Sequence, residues 1–245
     1  MVHEFTKQAK LYAKYRPTYP DAMYTFIFKH LHAMDYAWDC GTGSGQVAAY
    51  LANHFKYVFA TDIDKEQLKH AIQKQNITYR NTAGEDSGLP SNYFDLVTVA
   101  QAIHWFNFDR FYEEVRRVAK DQALLAAISY GMIEVSEEVD PILNKLYDEA
   151  FGTYFSEVRK YIDQRYQTIP FPFDEIPSPM FASTFEWTLQ QLEGFFNSWS
   201  PVQKMKSEKN YNPVGPVISQ VRKLIDAKQK FNVTFPVFMR LGRIH

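Results

Sequence analysis

The residues whose types and spacing best suit chemistry lie between positions 39 and 62. Asp39-Cys40-Gly41-Thr42-Gly43-Ser44-Gly45 alternates glycines with small residues directly after an acid. Glycine allows positive φ and lets the backbone come close to a ligand. A helix opening at about Gln46 would add amide donors and partial positive charge at the same place. Asp62 stands twenty-one residues after Gly41, at the end of Val58-Phe59-Ala60-Thr61-Asp62. A carboxylate there can accept both ribose hydroxyls of a nucleoside lying across the strand ends. A dinucleotide would suit these features too. Its G-x-G-x-x-G fingerprint, however, would place the third glycine at 46, where this chain has Gln46. The acid at 39 is better matched to a ligand carrying an ammonium group. A nucleoside cofactor is therefore expected, and a tight strand–helix turn without a ligand is the alternative.

Other candidates are less sharply defined. His104 follows a second strand end, and its pKa range suits a general base. It reads equally well as a structural histidine bonded to a backbone carbonyl beside Trp105. Arg16 can hold a carboxylate in a bidentate grip, whether the cofactor's or the substrate's. Tyr12, Tyr15, Tyr19 and Trp105 are candidates for the walls of a substrate pocket, although the tyrosines would serve as well to pack the N-terminal arm. Cys40 has no histidine near it in sequence and reads as a small buried hydrophobe. His30 and His32 are two apart and point to different sides of a helix. With no H-E-x-x-H or C-x-x-C present, no metal is expected.

These residues need elements to hold them, and the chain supplies an alternating series. After the proline-broken stretch Arg16-Pro17-Thr18-Tyr19-Pro20, a helix is predicted over Asp21 to Leu31, burying Phe26, Ile27 and Leu31. Tyr36 to Asp39 and Tyr57 to Thr61 read as strands. Helices follow them, from about Gln46 to Phe55 and from Lys65 to Lys74, the latter with Leu68, Ala71 and Ile72 on one face. Phe94 to Ala100 is a valine-rich apolar run of the kind found in a parallel strand buried on both faces. A helix over Asp109 to Lys120, with Phe111, Val115 and Val118 inward, leads to another buried strand over Ala123 to Ser129. This alternation predicts a doubly wound, mostly parallel α/β sheet covered by helices. After Gly131 the pattern changes. Pro141 to about Tyr161 is helical and aromatic, and Ile169 to Pro179 holds four prolines. Phe181 to Trp187 and Phe231 to Leu241 read as late strands with helices between. A single domain over 1–245 is expected, with an N-terminal arm and helix (1–34), a cofactor-binding core (35–130), an inserted helical cap (131–180) and C-terminal strands and helices (181–245).

Composition narrows the partners. The chain has 245 residues, 46% hydrophobic, enough for one sizeable core. Its net charge of −1, without blocks of like charge, argues against nucleic acid or an anionic membrane as partner. The first residues show no charged head followed by an apolar run, and no stretch approaches a membrane span. The single cysteine fits a reducing compartment, so a cytoplasmic protein is expected.

Three blocks together carry a resemblance. They are Phe5 through Tyr12-x-x-Tyr15-Arg16-Pro17-x-Tyr19-Pro20, the loop from Trp38 to Gln46, and Ala100-Gln101-Ala102-Ile103-His104-Trp105-Phe106. The set resembles the class I methyltransferases, and within them the small-molecule branch that includes trans-aconitate methyltransferase. It covers about Phe5 to Tyr130, with a weaker echo near Asn197-Ser198-Trp199-Ser200. The resemblance implies a Rossmann-like fold, S-adenosyl-L-methionine as cofactor and a small-molecule acceptor, with a carboxylic acid suggested. A monomer or homodimer is expected. Gly41, Gly43 and Gly45 would lie beneath the methionine part of the cofactor, with Thr42 among the cofactor-binding residues and Asp39 near the amino group. Asp62 would bind the ribose hydroxyls and Ile63 would pack on adenine. Gly84 and Glu85 would sit at the adenine edge, and Ala100 and Gln101 would line the sulfonium side. Ser87-Gly88-Leu89-Pro90 departs from the family's usual spacing beside the adenine-edge residues. Lys120-Asp121-Gln122 replaces the common glycine turn before the fifth strand. Two other classes remain as alternatives, a catalytically silent cofactor-binding module and a nicotinamide-dependent oxidoreductase.

Overall fold

A run as apolar as Phe94–Ala100 is stable only inside a sheet, and in the computed structural model it is a strand buried along nearly its whole length. The structure describes residues 17–154, 156–226 and 229–245. Tyr12, Tyr15 and Arg16 lie outside them. The chain divides into two units, one made of Tyr19–Tyr130, Gln164–Phe181 and Val237–His245, the other mainly of Gly131–Asp163 and Ala182–Pro236.

In chain order the first unit opens with α1 (Asp21–Lys29), β1 (Tyr36–Cys40), α2 (Gln46–Leu51), β2 (Tyr57–Thr61) and α3 (Lys65–Lys69). It continues with β3 (Ile77–Arg80), β4 (Phe94–Ala100), α4 (Phe108–Val118) and β5 (Ala119–Tyr130). Strands β1 to β5 pair in parallel in the order β3-β2-β1-β4-β5. The order reverses between β1 and β4, and ligands of open α/β sheets bind at such a point, beyond the carboxyl ends of the strands. α2 packs on β1 and β2, and α4 packs on β5. Trp38, Leu96, Val97, Val99, Phe111, Val115 and Val118 fill the core.

Several boundaries differ from the sequence reading, each for a physical reason. α1 ends at Lys29 and buries Met23, Tyr24 and Ile27, leaving Phe26 and Leu31 half-buried. On the buried face the Tyr24 ring stacks on Tyr50 with centroids 3.7 Å apart. α3 stops at Lys69, and Ile72 is exposed. Beyond it the backbone finds other partners: Ile72 N–H donates to Ser44 O at 3.1 Å, and Ile72 O accepts the Tyr79 hydroxyl at 2.6 Å. β3 was not anticipated. It is four residues long with only Ile77 buried, and gives no clear alternation. Where Lys120-Asp121-Gln122 replaces a glycine turn, Gln122 takes the left-handed conformation itself, at φ +65°.

The second unit contains α5 (Asp140–Tyr154), α6 (Ser156–Asp163), α7 (Leu189–Asn197), α8 (Ser200–Lys209) and α9 (Val214–Val221). Between α6 and α7, in chain order, come two further strands, β6 (Asp174–Ile176) in the sheet unit and β7 (Phe181–Trp187). β8 (Phe231–Arg243) serves both units. Val237–Arg243 pairs antiparallel with β5, Leu241–Arg243 with β6, and β7 also pairs with β8. The second unit's core is aromatic: Phe195 lies 5.5 Å from Trp187 and 5.3 Å from Phe235 between ring centroids, and Phe196 lies 4.8 Å from Trp199. Thr188 and Gln191 form a capping box at the start of α7. Among the described residues no helix is long and apolar enough to cross a membrane.

Candidate functional site

β1 ends in Asp39-Cys40 and hands the chain to the glycine loop, which closes at Gly45, the N-cap of α2, with φ +77°. Two glycines are demanded by the geometry. Gly41 sits at φ +67°, and a Cβ there would lie 2.5 Å from the Ala102 Cβ. At Gly45 a Cβ would collide with the Tyr79 hydroxyl. The loop is therefore pressed between the start of the β4 loop and β3, and any larger residue would push it out of place.

Asp39 is 1% exposed and holds the loop from beneath. One oxygen accepts the Thr42 hydroxyl at 2.5 Å and the Ala48 N–H at 3.1 Å; the other accepts the Thr98 hydroxyl at 2.8 Å. Burial pushes its pKa up to about 6 against these hydrogen bonds, which favour the charged form. It thus ties together β1, β4, the loop and the first turn of α2. Thr98 is a partner the sequence reading missed, although a lone threonine inside Leu96-Val97-Thr98-Val99 was a visible irregularity.

β2 delivers Asp62 to the same place. Asp62 Oδ2 accepts the Gly43 N–H at 2.7 Å, and Oδ1 accepts the Asp64 N–H at 2.8 Å. Its pKa is raised, because burial outweighs these bonds. Beside it Ile63 is 75% exposed, a large apolar side chain without cover among the described residues. Asn81 Nδ2 donates to Asp62 O at 2.8 Å, fixing the ends of β2 and β3 together.

The segment after β3 is tied down from below. Ser87 donates both its N–H (2.9 Å) and its hydroxyl to buried Glu114 of α4. Arg117 grips both oxygens of the same carboxylate at 2.7 Å. Burial opposes ionisation of Glu114, but the bonds from Arg117 and Ser87 win and hold its pKa near 2. Gly84 lies against Cys40 and Phe106, and Glu85 accepts the Asn107 N–H at 2.9 Å. Glu85 thereby carries a structural bond to the turn that opens α4.

The segment after β4 has a different character. Gln101 takes φ +53°, donates its N–H to Ile128 O at 2.9 Å, and its side chain reaches Tyr130 O at 3.2 Å. Ile103–Trp105 form one turn of 3-10 helix. His104 is 8% exposed, and its Nδ1 is hydrogen-bonded to the Tyr166 hydroxyl at 2.7 Å. Burial lowers its pKa to about 4, so the ring is neutral at neutral pH. Trp105, next in sequence, is 56% exposed. Tyr166 lies 62 positions away with φ +62°, and no sequence signal marked it. Of the three candidate pocket tyrosines, Tyr19 lies among the described residues, and its ring is 6.2 Å from that of Tyr130.

The strand ends thus gather a tightly packed glycine cradle, a carboxylate reaching across it, an uncovered apolar side chain and a neutral histidine. Residues 38–127 match the family described as the methyltransferase domain. A Dictyostelium discoideum protein named as a methyltransferase is 33% identical over 248 aligned positions, covering 98% of this chain and 94% of its own. The solved structure of a protein described as a type II methyltransferase from Anaeromyxobacter dehalogenans superposes with a TM-score of 0.85 at 33% identity, over 94% of this chain and 99% of that one. The chain belongs to the class I S-adenosylmethionine-dependent methyltransferases. A Saccharomyces cerevisiae protein described as an S-adenosylmethionine-dependent methyltransferase is 26% identical over 86% of this chain and 84% of its own. In this methyltransferase the glycine loop and Asp62 occupy the strand ends where such a fold receives its ligand.

Proposed function

We propose that this methyltransferase binds S-adenosylmethionine at the ends of β1 and β2 and methylates a small molecule, most simply the oxygen of a carboxylate. The observation that carries the cofactor reading is the trio of Gly43, Asp62 and Ile63. A backbone cradle free of side chains, a diol acceptor and an exposed apolar surface follow one another as the methionine, ribose and adenine parts of that cofactor would require. Beside this trio the chain also leaves a buried polar atom, Gln67 Oε1, without a partner among the described residues. These residues fit the group.

When bound, the cofactor supplies a methyl group on a positively charged sulfur, already activated toward a nucleophile. The protein's task is then to align the acceptor and keep water out. Asp62 fixes the sugar, the loop from Gly41 to Gly45 holds the backbone approach, and Asp39 keeps that loop rigid. Trp105 offers an exposed aromatic face for an acceptor. His104 supports the acceptor class proposed here. A histidine whose pKa is near 4 is a feeble base at neutral pH, so an acceptor that arrives already ionised fits this site best. Arg16, outside the described residues, would clamp such a carboxylate.

Incubating the protein with labelled cofactor and a fractionated metabolite extract tests both parts. Label is expected in a small acid, released as an ester that mild base hydrolyses. Label appearing in base-stable amines, or in protein or RNA, would overturn the acceptor assignment. Failure of S-adenosylhomocysteine to raise the melting temperature would overturn the cofactor assignment.

A further inference from the structure

Two side chains converge on Gly43. Its N–H donates to Asp62 Oδ2, and the space a Cβ would take is bordered by Gln67 Oε1 at 3.6 Å and Gln67 Cδ at 4.0 Å. Gln67 belongs to α3, where Asp64 Oδ1 accepts the backbone N–H of Glu66 at 2.9 Å and of Gln67 at 3.3 Å. The main chain beneath Gln67 is thereby pinned. Its side-chain oxygen is buried and has no hydrogen-bond partner among the described residues. Leaving such an oxygen unpaired costs free energy, and nearly all buried polar groups avoid it.

The place of this unpaired oxygen suggests its partner. Asp62 already accepts backbone N–H groups on both oxygens. A vicinal diol brings two hydroxyls, each able to donate and to accept. An amide presents one acceptor and two donors side by side, so it complements a hydroxyl in both directions. We propose that Gln67 is the second ribose partner of this site, its side-chain amide binding the diol that Asp62 holds and setting the preference for a ribonucleoside. The assignment rests on the cofactor reading above. It adds a residue outside the glycine loop and the strand-end acid, on the neighbouring helix.

Calorimetry on the full chain separates the two claims. Wild-type protein is titrated with S-adenosylhomocysteine and with its 2′-deoxy and 3′-deoxy analogues, and the series is repeated with Gln67→Leu. The leucine variant loses a buried unpaired oxygen, so its melting temperature without ligand is expected to equal or exceed that of the wild type. Its affinity for S-adenosylhomocysteine is expected to fall about tenfold. For at least one deoxy analogue the difference between the two proteins should vanish, because the hydroxyl that Gln67 binds is gone. Unchanged affinity for S-adenosylhomocysteine, or an equal loss for all three ligands, would overturn the role of Gln67 and leave the cofactor reading intact. No binding of S-adenosylhomocysteine by the wild type would overturn the cofactor reading itself, and this proposal with it.

Discussion

The loops that follow β1 and β4 start from neighbouring strands and are built in opposite ways. After β1 the chain is polar and tightly constrained. Asp39 accepts three hydrogen bonds, and Gly41 is required by the approach of Ala102. After β4 the chain is aromatic, with a histidine made neutral by burial and bonded to a tyrosine. The contrast teaches a division of labour. Charge and hydrogen-bonding capacity, the means of gripping a cofactor, sit with β1 and β2. The β4 loop offers shape and apolar surface, the means of aligning an acceptor, and little capacity to move a proton.

The largest expected effect breaks the first loop. Gly41→Ala puts a side chain in the left-handed region, on top of a methyl group that cannot swing aside. Strain and overpacking together should cost about 3 kcal/mol of folding stability. Denaturant unfolding measures it; a loss under about 1 kcal/mol would mean that the loop gives way and the close contact is not required.

The next effect belongs to the second loop and is read through pH. An unfolded histidine takes up a proton near 6.5, whereas His104 in the folded protein does so only near 4. The unfolded state therefore binds more protons between these values. The stability associated with a neutral His104 is fully present above 6.5 and is lost as pH falls toward 4, by about 3 kcal/mol in all. Asp39, with its pKa raised to about 6, works in the opposite sense and makes the fold more stable as pH falls through the same window. Comparing wild type with His104→Asn isolates the histidine. Stability curves that run parallel from pH 7 to 4 would show that His104 is not the buried neutral group described here.

Much of the first loop could be read from the sequence because its demands are local. Glycine spacing, a preceding acid and a following helix lie within ten residues, and Asp62 follows at the end of the next strand. The strands β1, β2, β4 and β7 could be read for the same reason, since each shows its burial within a few residues. The partners of the second loop could not. Tyr166 meets His104 through a fold in which residues 62 apart are brought together, and neither carries a mark of the other. The role of Asp39 was legible in kind but not in detail, because its grip on Thr98 crosses from β1 to β4. Gln67 was overlooked since a helical glutamine reads as surface until its oxygen is found buried.

A smaller effect sharpens the cofactor half of the comparison. Asp62→Ala removes the charged acceptor beside Gly43 and should weaken S-adenosylhomocysteine binding by about 1–3 kcal/mol. The fold should change little, since the side chain stands at a strand end. Calorimetry that finds equal affinity would remove Asp62 from the ribose site.

The smallest expected effect bears on the acceptor half, and it separates two chemistries. A carboxylate nucleophile has an unperturbed pKa near 4 and is ionised throughout the neutral range. Catalysis is then alignment alone, and His104 has no proton to take. His104→Asn should lower kcat with the acceptor found by labelling by about tenfold or less, the loss coming from a loosened 3-10 turn beneath Trp105. The kcat profile should be flat from about pH 6 to 8 in both proteins, because the pKa of His104 lies well below that range. A hydroxyl or protonated amine would behave otherwise. A proton must then leave, and losing a positioned base typically costs about a hundredfold to ten-thousandfold. Such a loss in His104→Asn, with affinity for S-adenosylhomocysteine intact, would show that the buried imidazole takes the proton despite its lowered pKa. The division of labour between the two loops would then fail, since the loop after β4 would be doing acid–base chemistry as well as alignment.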